Sequence, residues 1–188
     1  MSLPHAILTA LLEKPSSGLE LTRRFDRSIG YFWSATHQQI YRELGRLEES
    51  GLIRELPHET VARGGRKEYE VLPAGRAELV GWVAEPQDPK PVRDALLLRL
   101  RAAATVGADG LGAELARHLD LHRAQLVEYQ EIEQRDFPPA TADRENRLQH
   151  LVLQAGIKLE AFWVEWLTEA ATVLAPPDHP DADRPRTR

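Results

Sequence analysis

The stretch from Phe32 to Ile53, FWSATHQQIYRELGRLEESGLI, predicts one short helix with a narrow buried face. Ser34 is placed to cap the first turn by accepting a hydrogen bond from a free backbone N–H group. Gly51 supplies the left-handed residue that commonly follows a helix. Between these two positions, apolar residues recur at helical spacing, namely Ile40, Leu44 and Leu47.

The opposite side of this helix is polar. At about 100° per residue, it carries Gln38, Arg42, Gly45 and Glu49, with Gln39 and Arg46 beside them. In the DNA major groove, Gln can form two hydrogen bonds with adenine and Arg can form two with guanine. Gly45 would let the helix lie close to the groove. An ordinary surface helix also has a polar face, so the neighbouring segments decide between the two interpretations.

The elements predicted around this helix have the order of a winged helix-turn-helix. Leu3–Glu13 has the apolar spacing of a helix, and Ser17 with Glu20 forms a capping box for a second helix. Leu52–Leu56 and Lys67–Leu72 are predicted to be the strands of a hairpin, which a further short helix follows. In a winged helix-turn-helix, the third helix enters the major groove.

The predicted hairpin loop is basic. Residues 62–67 read ARGGRK, which places Arg63, Arg66 and Lys67 around a Gly-Gly turn. We interpret the loop as a wing whose cations reach the phosphate backbone or the minor groove. A nucleotide-binding loop is the competing interpretation, but it would require a Gly-Lys-Ser/Thr ending and a helix after it.

A proline-rich segment, EPQDPKP at residues 85–91, marks the expected domain boundary, because proline resists both helix and sheet. Three helices are expected beyond it, from Val92 to Val106, from a cap at Asp109 to about Arg135, and from about Thr141 to Leu174. The sequence therefore predicts a mainly α protein with a DNA-binding domain at 1–85, a linker at 86–91, a helical domain at 92–174 and a disordered tail at 175–188.

The last predicted helix carries an apolar seam with nearly heptad spacing. A helix of roughly 30 residues is about 45 Å long, which is longer than a domain of this size needs to cover itself. Part of the seam is therefore expected to meet a second chain and form a homodimer. A self-contained helical hairpin is the alternative. The seam residues predicted at the dimer interface are Leu148, Val152, Leu159, Phe162 and Trp166.

The totals restrict the class of protein. Of the 188 residues, 42% are apolar and 28% are charged, which is typical of a globular protein. The absence of cysteine excludes disulfides and thiolate chemistry. A net charge of −5 argues against DNA binding by bulk electrostatics and favours a few well-placed contacts. No apolar run reaches membrane-spanning length and no signal peptide is evident, so a cytoplasmic protein without membrane contact is expected.

Several segments resemble the PadR family of bacterial transcriptional regulators: SGLEL at 17–21, ATHQQIYREL at 35–44, RLE at 46–48, GLI at 51–53 and GRKEY at 65–69. The resemblance implies a homodimeric repressor of the longer branch, with a helical C-terminal dimerisation domain. It also implies binding to double-stranded DNA with inverted repeats and release by a small molecule such as a phenolic acid or a drug. One departure is Leu72-Pro73, where relatives commonly have a Thr before the Pro, and it removes a helix cap.

The resemblance also implies which residues face DNA. They are Thr36, His37, Gln38, Gln39, Tyr41 and Arg42 on the third helix, with Arg63, Arg66 and Lys67 in the wing. The helical spacing agrees for Gln38, Gln39 and Arg42. His37 and Tyr41 lie at the flank of the buried stripe, so contact with phosphate and simple packing both remain open for them.

An effector pocket is expected between the two halves of the chain, where Trp33, Trp163 or Trp166 could stack on an aromatic ring. Plain core packing is the alternative for each of them. Trp33 belongs to an aromatic run at residues 31–33, which suits either a ligand cage or a hydrophobic plug under a turn.

Two other classes of function are less consistent with the sequence. Glu114, His118 and His122 recur every four residues and could hold zinc on one helix face, but no further element offers a fourth ligand. No catalytic constellation stands out, so we predict neither an enzyme nor a bound metal or cofactor. A winged helix that binds another protein would be expected to have a more apolar outer face.

Overall fold

The computed structural model describes residues 3–25, 35–57, 67–138 and 143–175. The chain divides into two compact units, Met1–Lys90 and Pro91–Arg188, and the division falls inside the proline-rich segment. The described elements are α1 (Leu3–Glu13), β1 (Ser16–Ser17), α2 (Gly18–Arg24), α3 (His37–Glu49), β2 (Ile53–Glu55), β3 (Glu68–Val71), α4 (Pro73–Ala84), α5 (Ala95–Val106), α6 (Leu111–Asp136) and α7 (Arg144–Leu174). The predicted mainly α fold with an N-terminal winged helix-turn-helix is confirmed.

The first unit packs its helices around one apolar core, and the sheet lies against that core. β2 and β3 form the predicted antiparallel hairpin, in which Ile53 lies opposite Val71 and Glu55 opposite Tyr69. Tyr69 and Val71 pack against the core, as their alternation predicted. The buried core residues are Ile7, Leu8, Ala10, Leu11, Leu21, Phe25, Ile40, Leu44, Leu47 and Ile53.

The strand β1 was not predicted. Ser16 and Ser17 pair with Tyr69 and Glu68, which gives the sheet order β1-β3-β2. Two serines before a glycine have the composition of a turn, and the Ser17 side chain does cap α2 as expected. Pairing with a distant strand, rather than local propensity, makes this segment extended.

The helix α3 begins later than predicted, because Thr36 and not Ser34 is its cap. The Thr36 hydroxyl accepts a hydrogen bond from the Gln39 backbone N–H at 3.3 Å, and the Gln39 Oε1 accepts one from the Thr36 backbone N–H at 2.8 Å. This reciprocal capping box needs a Gln or Glu three residues after the cap, whereas His37 follows Ser34 at that spacing. Ser34 itself lies outside the described residues. The predicted end is confirmed, since Gly51 has a φ of +68°.

The helix α4 begins without a side-chain cap. Leu72 occupies the cap position and makes no side-chain hydrogen bond to the helix, as the Leu72-Pro73 sequence predicted. Gly75 in the first turn is buried, and a Cβ atom there would lie 2.3 Å from the carbonyl oxygen of Leu52. Because the neighbour is backbone, only glycine fits at this position.

The helices of the second unit begin slightly later than predicted. α5 starts after Asp94 rather than at Val92, because the Asp94 carboxylate accepts hydrogen bonds from two backbone N–H groups of the first turn. α6 starts after Gly110, which has a φ of +75°, so Asp109 is not its cap. α7 starts after Asp143, which caps it through its side chain. Of the predicted tail at residues 175–188, Ala175 is the C-terminal cap of α7 and residues 176–188 lie outside the described residues.

α6 and α7 form an antiparallel pair. Two side-chain hydrogen bonds cross between them, His122 Nδ1 to Glu160 Oε2 and His150 Nε2 to Glu133 Oε1, each at 2.6 Å. The ring of Tyr129 packs on α7 at Gly156, where an added Cβ would lie 3.0 Å from the ring. Leu115 and Leu167 are fully buried in the core of this unit. Among the described helices, none combines the length and the hydropathy that a membrane crossing requires.

Candidate DNA-binding surface

α2 and α3 are held together at one side of the first unit. Ser17 caps α2, and the Thr22 hydroxyl donates a hydrogen bond to the Gly18 carbonyl at 2.7 Å. The ring of Tyr41 lies directly against Gly18, and its side chain is half exposed. Tyr41 therefore packs between the two helices and still presents part of its ring at the surface. Of the two roles that the sequence left open for Tyr41, packing and phosphate contact, the packing is present.

The outer face of α3 is polar and exposed, while its other face is fixed in the core. Ile40, Leu44 and Leu47 are at most 3% exposed. Gln38 and Arg42 are exposed on the other side and make no side-chain hydrogen bond or ion pair with the described residues. Arg46 differs, because Glu43 lies 3.4 Å from it. Gln38 and Arg42 are thus the side chains best placed to meet an outside ligand.

Gln38 and Gln39 have different roles within α3, although the sequence treats them alike. The Oε1 of Gln39 is engaged in the capping box with Thr36. Paired recognition of adenine needs both the amide oxygen and the amide nitrogen of a Gln side chain. Gln39 could offer only its Nε2 without breaking the cap, whereas Gln38 has both groups available. His37 is exposed at the first position of the helix.

The basic side chains of the hairpin that lie within the described residues form ion pairs with glutamates. Lys67 Nζ lies 2.7 Å from Glu55 Oε2, and the Arg54 Nε donates a hydrogen bond to Glu70 Oε1 at 2.6 Å. The hydrogen bond to Glu55 raises the pKa of Lys67, and burial raises the pKa of Tyr69 on the same hairpin. The predicted wing residues Arg63 and Arg66 lie outside the described residues.

A second surface lies on α7. Along one side of this helix, most of the predicted seam residues are exposed in the single chain, whereas Trp166 is half-buried and contacts the core. The side of α7 that faces α6 is instead built from Leu153, Leu167 and Ala170. The exposed apolar residues of the seam are Leu148, Leu151, Val152, Leu159 and Phe162, with exposures of 43–58%.

The histidines on α6 lie beside glutamate side chains. Glu114 accepts hydrogen bonds from Arg117 and Arg99, and these guanidinium groups lower the pKa of Glu114 to about 2. His118 lies 3.4 Å from Glu114, and His122 is paired with Glu160 of α7. The described residues contain no group of side chains that could hold a metal ion.

The predicted effector contacts are only partly described. Trp33 lies outside the described residues. One face of the Trp163 ring is covered by His122, with ring centroids 5.4 Å apart, and Phe162 and Trp166 contact it edge-on. A ligand could therefore stack only on the other face of Trp163. Sequence reasoning missed an open groove of about 450 Å³ between α5 and the end of α7, which Trp166 lines.

The arrangement of α2, α3 and the hairpin defines the class of winged helix-turn-helix proteins. Residues 7–80 match the PadR-like family of transcriptional regulators, and residues 92–175 match the C-terminal domain of the virulence activator alpha family. A protein of Mycobacterium tuberculosis, named a probable transcriptional regulator, is 42% identical over 93% of this chain and 98% of its own length. The chain therefore belongs to the PadR-like family of transcriptional regulators, as the sequence segments predicted.

Solved structures show the same fold along nearly the whole chain. The virulence activator AphA of Vibrio cholerae matches with a TM-score of 0.77 and 35% identity, over 92% of this chain and 98% of AphA. Bacillus subtilis PadR in complex with operator DNA matches with a TM-score of 0.79 and 26% identity, over 93% of this chain and 99% of PadR. The same PadR, named a negative transcriptional regulator, is also known in complex with p-coumaric acid. These relatives are regulators, which confirms the prediction that the protein is not an enzyme.

Proposed function

We propose that this protein is a homodimeric repressor that binds an inverted-repeat operator and is released by a small molecule. The outer face of α3 carries the proposal: Gln38 and Arg42 are exposed and unpaired within the described residues, while the same helix is anchored in the core. The operator complex of the B. subtilis relative supports a DNA ligand. Because chromosomal DNA is the proposed target, we place the protein in the cytoplasm.

The proposed contacts divide by chemistry. Gln38 and Arg42 would read base edges, since the Gln amide can both donate and accept hydrogen bonds in the major groove and the Arg guanidinium can donate two. The other residues proposed to face DNA would contact phosphate and set the register, namely Thr36, His37, Gln39 and Tyr41, with Arg63 and Arg66 beyond the described residues. Lys67, which pairs with Glu55, would reach phosphate only in competition with that carboxylate.

The proposed dimer would use the exposed seam of α7. A continuous row of half-exposed leucine, valine and phenylalanine side chains on one helix is unusual for a monomer, because large exposed apolar patches generally mark interaction sites. A two-fold dimer would present two copies of α3 to half-sites about 34 Å apart. A dimer formed through the seam of α7 would therefore bring two copies of α3 to one operator.

The proposed effector is a phenolic acid, by analogy with the p-coumaric acid complex of B. subtilis PadR. An effector that favours a dimer with the wrong spacing of its two α3 helices would lower operator affinity by linkage. Trp163 and Trp33 remain the proposed stacking partners. The V. cholerae relative is named an activator and the B. subtilis relative a negative regulator, so repression is part of the proposal.

Fluorescence anisotropy tests the proposal. The probes are a duplex from the region upstream of the protein's own coding sequence and a scrambled duplex of equal length. We expect the upstream duplex to bind at least about 10³-fold more tightly. Equal affinities would contradict sequence-specific binding. Added p-coumarate should weaken operator binding and raise the melting temperature. If it changes neither, the phenolic effector is wrong although the DNA-binding proposal stands.

A further inference from the structure

Lys67 is the one predicted wing cation within the described residues, and it forms an ion pair with Glu55. Its Nζ lies 2.7 Å from the carboxylate of Glu55 on the neighbouring strand, and both side chains are partly exposed. The hydrogen bond and the negative charge of Glu55 are the two largest effects that raise the pKa of Lys67. The ammonium group therefore stays charged at neutral pH, and a DNA phosphate would have to compete with Glu55 for it.

The position of this pair relates it to α3. The strand register sets Glu55 opposite Tyr69, and side chains alternate along a strand, so Glu55, Lys67 and Tyr69 belong to one face of the hairpin. The negative charge of Glu48, on α3, raises the pKa of both Lys67 and Tyr69. Tyr69 also packs against the core to which the buried face of α3 belongs, so this face of the hairpin lies towards α3, while the Lys67 side chain stays largely exposed.

A second ion pair in the same hairpin provides a comparison. Arg54 lies opposite Glu70, and their side chains alternate onto the other face of the strands. Each pair joins a basic side chain to a glutamate across the same hairpin. Removing either acid changes the net charge of the protein by the same amount, but only the removal of Glu55 frees a cation beside α3.

We propose that Glu55 restrains DNA binding by competing with phosphate for Lys67. The inference rests on the proposed DNA-binding function and adds a determinant of affinity to it. A lysine–phosphate contact carries no sequence information, so the restraint lowers affinity for operator and non-operator DNA alike. It keeps total affinity low enough for an effector to release the protein, since allosteric coupling typically changes affinity by only about 5- to 150-fold.

The test compares Glu55→Gln with the control variant Glu70→Gln on the upstream and scrambled duplexes, at salt concentrations from about 0.1 to 1 M. Glu55→Gln adds one phosphate contact per protomer, and therefore two per bound dimer, which steepens the dependence of log K on log salt by about 1.8. We expect this change for Glu55→Gln, together with a gain in affinity of about 60-fold at 0.1 M relative to 1 M salt. The gain should be equal on both duplexes. Glu70→Gln should leave the slope unchanged, and both melting temperatures should stay near wild type.

Lys67→Gln supplies the reciprocal measurement. In the wild-type background it should flatten the salt slope by less than about 0.9 per protomer, because Glu55 competes with phosphate for Lys67. In the Glu55→Gln background it should abolish the gain. An unchanged slope for Glu55→Gln would overturn the inference. An equal gain for Glu70→Gln would also overturn it, because that would indicate a general charge effect. So would a loss of one full contact per protomer, about 0.9 in slope each, in Lys67→Gln alone. A wild-type protein that fails to distinguish the two duplexes would instead contradict the proposed function itself.

Discussion

The ring of Tyr41 on α3 packs so closely on Gly18, the first residue of α2, that a Cβ atom at residue 18 would lie 2.5 Å from Tyr41 Cε1. Gly18 is buried, whereas Tyr41 is 51% exposed. The glycine is thus required by a side chain from the neighbouring helix. This contact sets how α2 and α3 approach each other, and it connects the packing of the helix-turn-helix to its exposed face.

Gly18→Ala should therefore change the free energy of unfolding differently in the wild-type and Tyr41→Ala backgrounds. With Tyr41 present, the added methyl group displaces the ring and should lower the free energy of unfolding by about 1 kcal/mol. In a Tyr41→Ala background the space is open, and the higher helix propensity of alanine should make the change neutral or stabilising. Urea unfolding of the four proteins measures the coupling. The same effect in both backgrounds would show that the ring does not determine residue 18.

Gly75→Ala should be more damaging than an alanine elsewhere in the same helix. The new Cβ would lie 2.3 Å from the backbone oxygen of Leu52, which cannot move without disturbing the sheet. We expect a loss of about 1–3 kcal/mol in the free energy of unfolding. Gly81→Ala is the matched control, because nothing lies within 4 Å of a Cβ there, and it should stabilise by up to about 1 kcal/mol. Similar changes for the two variants would contradict the close approach.

Acid should weaken the second unit through Glu114. Arg117 and then Arg99 lower the pKa of this carboxyl group from 4.5 to about 2. A lowered pKa in the folded state stabilises the protein above the unfolded-state value, and this contribution disappears as the pH falls from about 4.5 towards 2. The difference in melting temperature between wild type and Glu114→Gln should therefore shrink over that range. Glu165→Gln is an exposed control, and a difference for Glu114→Gln that stays constant with pH would argue against the pairing.

The apolar seam of α7 predicts a dimer that a single charge disrupts. Phe162 is a seam residue whose side chain is 52% exposed. Analytical ultracentrifugation of the wild-type protein should give about 42 kDa, twice the 21.2 kDa of the chain. Phe162→Asp should sediment as a monomer, because it would bury a charge in an apolar interface. Ala161→Asp, on the charged side of the same helix, should remain a dimer. A monomeric wild-type protein would remove the basis of the two-fold operator.

Much of the first unit could be predicted from local pattern. The spacing of Ile40, Leu44 and Leu47 identified α3 and its buried face, and the alternation of Tyr69 and Val71 identified the hairpin. These signals are local, because period and turn residues are set by neighbours in the chain. The family motifs overlap the same segments.

Features that depend on distant partners could not be predicted. Ser16 and Ser17 become a strand only because β3 is beside them. The pairing of Lys67 with Glu55 depends on strand register, which the sequence does not specify to the residue. The difference in available hydrogen-bonding groups between Gln38 and Gln39 depends on which residue caps α3. The sequence predicted Ser34, whereas the cap is Thr36, which bonds with Gln39.

The outer face of α3 is proposed to read DNA, and Arg42→Ala removes one of the two side chains proposed to contact base edges there. The measurement is the dissociation constant for the upstream duplex, with Arg101→Ala in the second unit as a control of equal charge change. Loss of a paired contact to guanine costs about 1–3 kcal/mol at each half-site, so we expect Arg42→Ala to lose detectable specific binding while the protein still sediments as a dimer. Arg101→Ala should bind like wild type. Wild-type affinity in Arg42→Ala would contradict DNA recognition by the outer face of α3.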